Sequence, residues 1–143
     1  TLASLTVHAG KLLMVREHTR HGIRLNQPAG HWEADETLLD AVRREVLEES
    51  GYEFTPTALL GIYVSDKDDK SVTYLRLTFI GTVGAAAIHD ELDDGIIEAV
   101  WLTPQEIMDE RAIHRNPIVA QCLTDFINGQ RLDLALVKDL RIL

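Results

Sequence analysis

Between Arg43 and Ser50 the chain reads RREVLEES, placing Glu45, Glu48 and Glu49 within two turns of a helix-forming run. At ~100° per residue the three carboxylates fall within an arc of about 100°. Like charges at i,i+3 and i,i+4 cost roughly 0.2–0.5 kcal/mol per pair in an isolated helix. On a helical wheel Arg43 and Arg44 point away from that arc and do not neutralise it. Two readings follow. A Glu-rich face can be merely solvated. Alternatively, clustered carboxylates can supply oxygen ligands to a hard divalent cation such as Mg²⁺ or Mn²⁺, with phosphate oxygens completing the shell.

The overall charge bears on that choice. At a net charge of −9 the surface repels polyanions, and no Lys/Arg stripe offers a nucleic-acid footprint. A phosphate-bearing ligand would therefore need a cation between itself and the protein. The 143 residues, 45% apolar and 26% charged, are ordinary for one soluble domain spanning 1–143. No apolar run approaches the ~20 residues that span a bilayer. The opening TLASLTVHAGKLLMV has no basic stretch ahead of an apolar block, so it does not read as a signal peptide. Cys122, the single cysteine, excludes an internal disulfide and a cysteine zinc cluster, and fits a small buried hydrophobe in a reducing compartment. A cytoplasmic location is expected.

The carboxylates need elements to position them. Leu39, Val42 and Val46 recur at helical spacing, and Gly51 stands where a helix ends, so a helix is expected from about Thr37. SLTVHAGKLLMVREH predicts two strands around a turn at Ala9-Gly10-Lys11, and IRLNQPAG a short strand entering a loop. TALLGIYVSD and SVTYLRLTFIGTV predict a hairpin joined through KDDK, and IIEAVWL a further strand. Thr103-Pro104 opens one later helix; Asn116 or Pro117 opens the last, which Gly129 closes. The order β-β-β-α-β-β-β-α-α implies an α/β fold with a mixed sheet covered by helices.

The flanks of the acidic run extend its pattern. From Gly30 the chain gives Gly-x5-Glu-x7-Arg-Glu-Val-x-Glu-Glu-x-Gly-Tyr, which looks like the Nudix box at every fixed position. Seven such residues coincide by chance in this length at odds on the order of 10⁻⁶. Tyr52 departs softly, where the family prefers a bulky aliphatic residue. The resemblance implies an α/β/α sandwich around a mixed sheet, and hydrolysis of a nucleoside diphosphate or other group linked to a further moiety. It implies metal binding by Glu45, Glu48 and Glu49, with the Gly30 carbonyl able to add a ligand. Glu36 and Arg44 match a structural pair whose arginine also holds a catalytic glutamate, and Gly51 matches the helix-ending glycine. The cation implied is Mg²⁺, with Mn²⁺ as the alternative; it would neutralise phosphate oxygens and acidify the attacking water.

A carboxylate must take that water's proton. Glu45 is one candidate, but the family often places this base on a loop before a later strand. Here that loop is HDELDDGIIEAVWL, in which Asp94 is preferred as a fourth metal ligand or as the base, with Glu98 and Glu91 behind it. The longer string NQPAGHWEADETLLDAVRREVLEESG, continued by YLRLTF, WLTPQEI and RNPIVAQCLTDFINGQR, resembles the NudJ-type branch. That branch hydrolyses nucleoside tri- and diphosphates and thiamine-type diphosphates. Arg24, Gln27 and Arg76 are the candidate substrate-binding residues, an arginine being able to grip phosphate bidentately. Trp32 fits packing under the loop better than stacking on a base. Two alternatives stand beside this reading: a nucleotide-pool sanitising triphosphate pyrophosphohydrolase, and a non-catalytic Nudix-fold binding module. The expected partner is a small phosphorylated substrate rather than nucleic acid or membrane, and monomer and homodimer both stay open.

Overall fold

Apolar residues alternate along the strands so that successive side chains enter opposite cores. On one face Leu12, Met14, Ala58, Leu60 and Ile80 join Ile107, Val119 and Leu123. On the other, Leu2, Leu13, Leu59 and Phe79 join Ala41, Val42 and Val46. Helices must therefore cover both faces. The computed structural model, which describes residues 1–66 and 70–143, has this arrangement. Its elements are β1 (Leu2–Leu5), β2 (Val7–His8), β3 (Lys11–Thr19), β4 (Gly22–Asn26), β5 (Ala29–Gly30), α1 (Leu38–Ser50), β6 (Phe54–Asp66), β7 (Thr73–Val83), β8 (Ile96–Leu102), α2 (Pro104–Asp109) and α3 (Ile118–Ile127). Single 3-10 turns occupy Arg111–Ile113 and Leu134–Leu136.

The expected mixed sheet is present, and a second sheet accompanies it. The first runs in the order β5-β1-β7-β6, with β1 parallel to β7 and the other pairs antiparallel. In the second, β3 pairs antiparallel with β2, β4 and β8. α1 packs on the Leu13 and Phe79 face, α2 and α3 on the other.

Local chemistry sets the element ends. Thr37 caps α1 by accepting the Asp40 N–H, and Gly51 ends it in the left-handed region at φ 79°. The β2–β3 turn places Ala9 and Gly10 at positive φ. β6 starts at Phe54 rather than Thr57, because Pro56 sits at a register shift on an edge strand, where a missing N–H is tolerated. Thr103 and Glu106 form a capping box on α2, and the Asn116 side chain accepts the Ile118 N–H at the start of α3. Of the KDDK connection, Lys67, Asp68 and Asp69 lie outside the described residues. No helix among the described residues is long and apolar enough to cross a membrane.

Candidate active site

The short strand β5 delivers Gly30 against the middle of α1, where its missing side chain has a specific consequence. A Cβ there would fall on the Glu45 carboxylate. Glu45 is consequently buried, its head lying where a side chain at residue 30 would otherwise project.

Arg44 is the hub beside it, and here the wheel projection fails. Its Nε and Nη2 grip Glu36 Oε2 and Oε1 at 3.0 and 2.7 Å, and Nη2 also donates to the His31 carbonyl at 3.0 Å. Nη1 donates to Glu45 Oε1 at 2.8 Å and Glu48 Oε2 at 3.3 Å. A wheel records where the Cα–Cβ bond points, whereas the guanidinium reaches round the helix to the acidic face. Arg43 does turn away, to Asp40. The bidentate grip holds the Glu36 carboxyl below its usual range.

One arginine does not neutralise three glutamates. Burial pushes the carboxyls of Glu45, Glu48 and Glu49 upward, against Arg44 at the first two and against the Ala29 N–H at Glu49. Glu49 is driven to about 8. It accepts the Ala29 N–H at 2.8 Å and lines the same cleft of about 390 Å³.

The acid that joins the helix from the later loop is Asp93, not the expected Asp94. Carboxylate oxygens of Glu45, Glu48 and Asp93 lie within 4.8 Å of one another. The cause is backbone pinning: the Asp93 N–H donates to the Glu48 carbonyl at 2.9 Å, and its own carbonyl accepts the Ile96 N–H at 3.0 Å. Asp94 sits at the exposed tip of that turn, beside Gly95 at φ 88°. An all-oxygen donor set on converging carboxylates suits a hard divalent cation, and one arginine shared between Glu45 and Glu48 leaves negative charge for it to balance.

Of the substrate-side candidates, Arg76 lies in the cleft. It is buried, with no carboxylate partner among the described residues; Nη1 has only long contacts, 3.4 Å to Asn26 Oδ1 and 3.5 Å to Gln27 Oε1. Its Nε has no partner, and burial pulls its pKa below the ordinary arginine value. Gln27 does not reach the cleft: it is buried beneath it, bridging Arg76 to the Val119 carbonyl. Arg24 lines a neighbouring cavity instead. Trp32 does not pack inward either; it stays 46% exposed, with Nε1 on the Glu36 carbonyl and the Arg141 guanidinium 4.7 Å above its ring. The sequence reading missed Glu17 and Arg115, paired at 3.1 Å on the cleft wall. Glu17 comes from β3 and Arg115 from the segment ahead of α3, a long-range meeting that no local signal could reveal.

Known proteins resemble this chain in sequence and in fold. The model of the NUDIX domain family matches residues 2–122. Phosphatase NudJ of Escherichia coli K12 is 34% identical over 134 residues, 93% of this chain and 86% of that protein. A solved NUDIX hydrolase from Nitrosomonas europaea superposes with a TM-score of 0.92 at 41% identity, over 96% of this chain and 94% of that one. A MutT NUDIX hydrolase from Burkholderia pseudomallei shares the fold, with a TM-score of 0.71 at 16% identity over 87% of this chain and 94% of that one. Fold and relatives together define an α/β phosphohydrolase. The chain belongs to the Nudix hydrolase family.

Proposed function

We propose that this single Nudix domain hydrolyses diphosphate and triphosphate linkages in small phosphorylated metabolites, using Mg²⁺ or in its place Mn²⁺, in the cytoplasm. The substrate class is nucleoside tri- and diphosphates together with thiamine-type diphosphates, a relaxed range in keeping with the 34% identity to Phosphatase NudJ. The observation that carries the reading is the bipolar cleft: an acidic cluster at Glu45, Glu48 and Asp93, and the buried, unpaired Arg76.

A divalent cation bound at the cluster would neutralise phosphate oxygens and lower the pKa of water. The chain's own residues do the rest. Glu45, Glu48 and Glu49 provide the carboxylates, with the Gly30 carbonyl beside them, and Arg44 fixes Glu45 and Glu48 while Glu36 fixes Arg44. Arg76 turns its free Nε toward phosphate oxygens, a charge-assisted bond in a site where burial strengthens it. Asp93, in the place the sequence suggested for Asp94, serves as a further ligand to the cation or, left uncoordinated, takes the proton of the attacking water. Gly51 ends α1 so that the loop carrying Asp93 can fold back on it.

The test is a Mg²⁺-dependent screen for phosphate and pyrophosphate release from nucleotides, ADP-ribose, thiamine diphosphate and hydroxymethylpyrimidine diphosphate, with Glu49→Gln as control. Release from several compounds, lost in the variant, is expected. No release from any of them would overturn the reading, and full activity in Glu49→Gln would overturn the site assignment.

A further inference from the structure

A second cavity of about 600 Å³ adjoins the cleft, and Ser65, Tyr74, Arg115 and Asn116 line both. Its wall includes the tip of the β3–β4 hairpin, which reads HTRHGIR from His18 to Arg24. His18, Arg20, His21 and Arg24 line it from there, and His114 and Arg115 from the segment ahead of α3. In a chain of net charge −9 this collects half of the 6 histidines and three arginines, with Asp66 the one carboxylate lining the cavity among the described residues. Arg115 is already paired with Glu17. Arg20 and Arg24 have no carboxylate partner among the described residues; Arg20 Nε lies 3.4 Å from His21 Nε2, and Arg24 Nη1 donates to the Ile23 carbonyl at 2.9 Å. Gathering guanidinium groups around a cavity is unfavourable unless an anion enters it.

We propose that this annex is an anion subsite, selecting substrates that carry a second negatively charged group, such as a phosphate monoester, beyond the linkage that is cut. The inference rests on the hydrolase reading of the adjoining cleft. Two guanidinium groups without a carboxylate partner among the described residues suit phosphate, and the shared wall of Tyr74 and Asn116 lets one molecule occupy both cavities. The surrounding negative charge disfavours a polynucleotide there.

The experiment compares adenosine 5′-diphosphate with adenosine 3′-phosphate 5′-diphosphate in wild type and in the Arg20→Ala/Arg24→Ala double variant. Wild type should show kcat/KM roughly tenfold higher for the 3′-phosphorylated compound, and the ratio should collapse in the variant. Equal values in wild type, or an unchanged ratio in the variant, would overturn the subsite. Independently of turnover, inorganic phosphate titrated into metal-free protein should shift the imidazole NMR signals of His18, His21 and His114 saturably, and more weakly in the variant. The absence of a shift, or the same shift in both proteins, also overturns the subsite. Phosphate binding without hydrolysis of either nucleotide keeps the subsite and overturns the hydrolase reading.

Discussion

At the scale of single residues, Gly30 and Glu49 make separable predictions. A methyl group at residue 30 would strike the Glu45 carboxylate, the movable end of a side chain, so the backbone need not shift. Gly30→Ala should lower kcat roughly 10²-fold by misplacing that carboxylate, with a stability change of only about 1 kcal/mol in thermal melts. Glu49 has the opposite character. Its pKa in the folded protein, about 8, lies above the ordinary 4.5, so folding favours the protonated acid. That contribution is fully present below about pH 4.5 and is lost as pH rises through about 8. Glu49→Gln keeps an oxygen for the Ala29 N–H and removes the penalty. In a chelator it should melt several degrees above wild type at pH 8, with the gap closing toward pH 5; a pH-independent gap would contradict this. Residue spacing was enough to single out Glu45, Glu48 and Glu49 as candidates, all of which line the cleft. It misjudged Arg44, because a wheel ignores side-chain length, and Gln27, because burial under a loop leaves no periodic signature.

At the scale of elements, the junction between α1 and the acidic loop decides whether Asp93 reaches the helix. Gly51 holds φ 79°, its carbonyl accepts the Ile88 N–H at 2.8 Å, and a Cβ would meet the His89 backbone carbonyl. Backbone cannot swing aside as the Glu45 head can. Gly51→Ala should therefore destabilise the fold by about 1–3 kcal/mol in denaturant unfolding, unlike Gly30→Ala. The same junction separates Asp93 from Asp94. Asp93→Asn should lower kcat roughly 10²-fold while Asp94→Asn stays near wild type; the reverse order of effects would restore the sequence-based choice. The helices were legible because caps and apolar periodicity are local: Thr37, Thr103 and Gly51 mark their ends. The one-residue error at Asp93 arose because an N–H bond to Glu48, distant in sequence, sets the turn.

At the scale of the whole molecule, the first sheet carries both β5, which lies against α1, and Arg76 of β7, while the second brings Glu17 and Asn26 to the same cleft. The α/β layering followed from alternation in the strands, since Leu12 and Leu13 must enter different cores. The division into two sheets did not, because partner choice between strands is non-local; the same gap hid Glu17 and Arg115. With a net charge of −9 and three carboxyls raised by burial, a cation bound at the cluster would stabilise the entire fold. Mg²⁺ should raise the melting temperature more at pH 8 than at pH 6, because the ligands must ionise to bind. The central claim, that the Glu45, Glu48 and Asp93 cluster makes this cleft a cation-dependent phosphohydrolase site, is tested most directly by phosphate release from a nucleoside diphosphate across a Mg²⁺ titration. Wild type should be inactive in chelator and saturate with added Mg²⁺, and Glu45→Gln should stay near background throughout; release without a divalent cation, or an unaltered titration in Glu45→Gln, would contradict it.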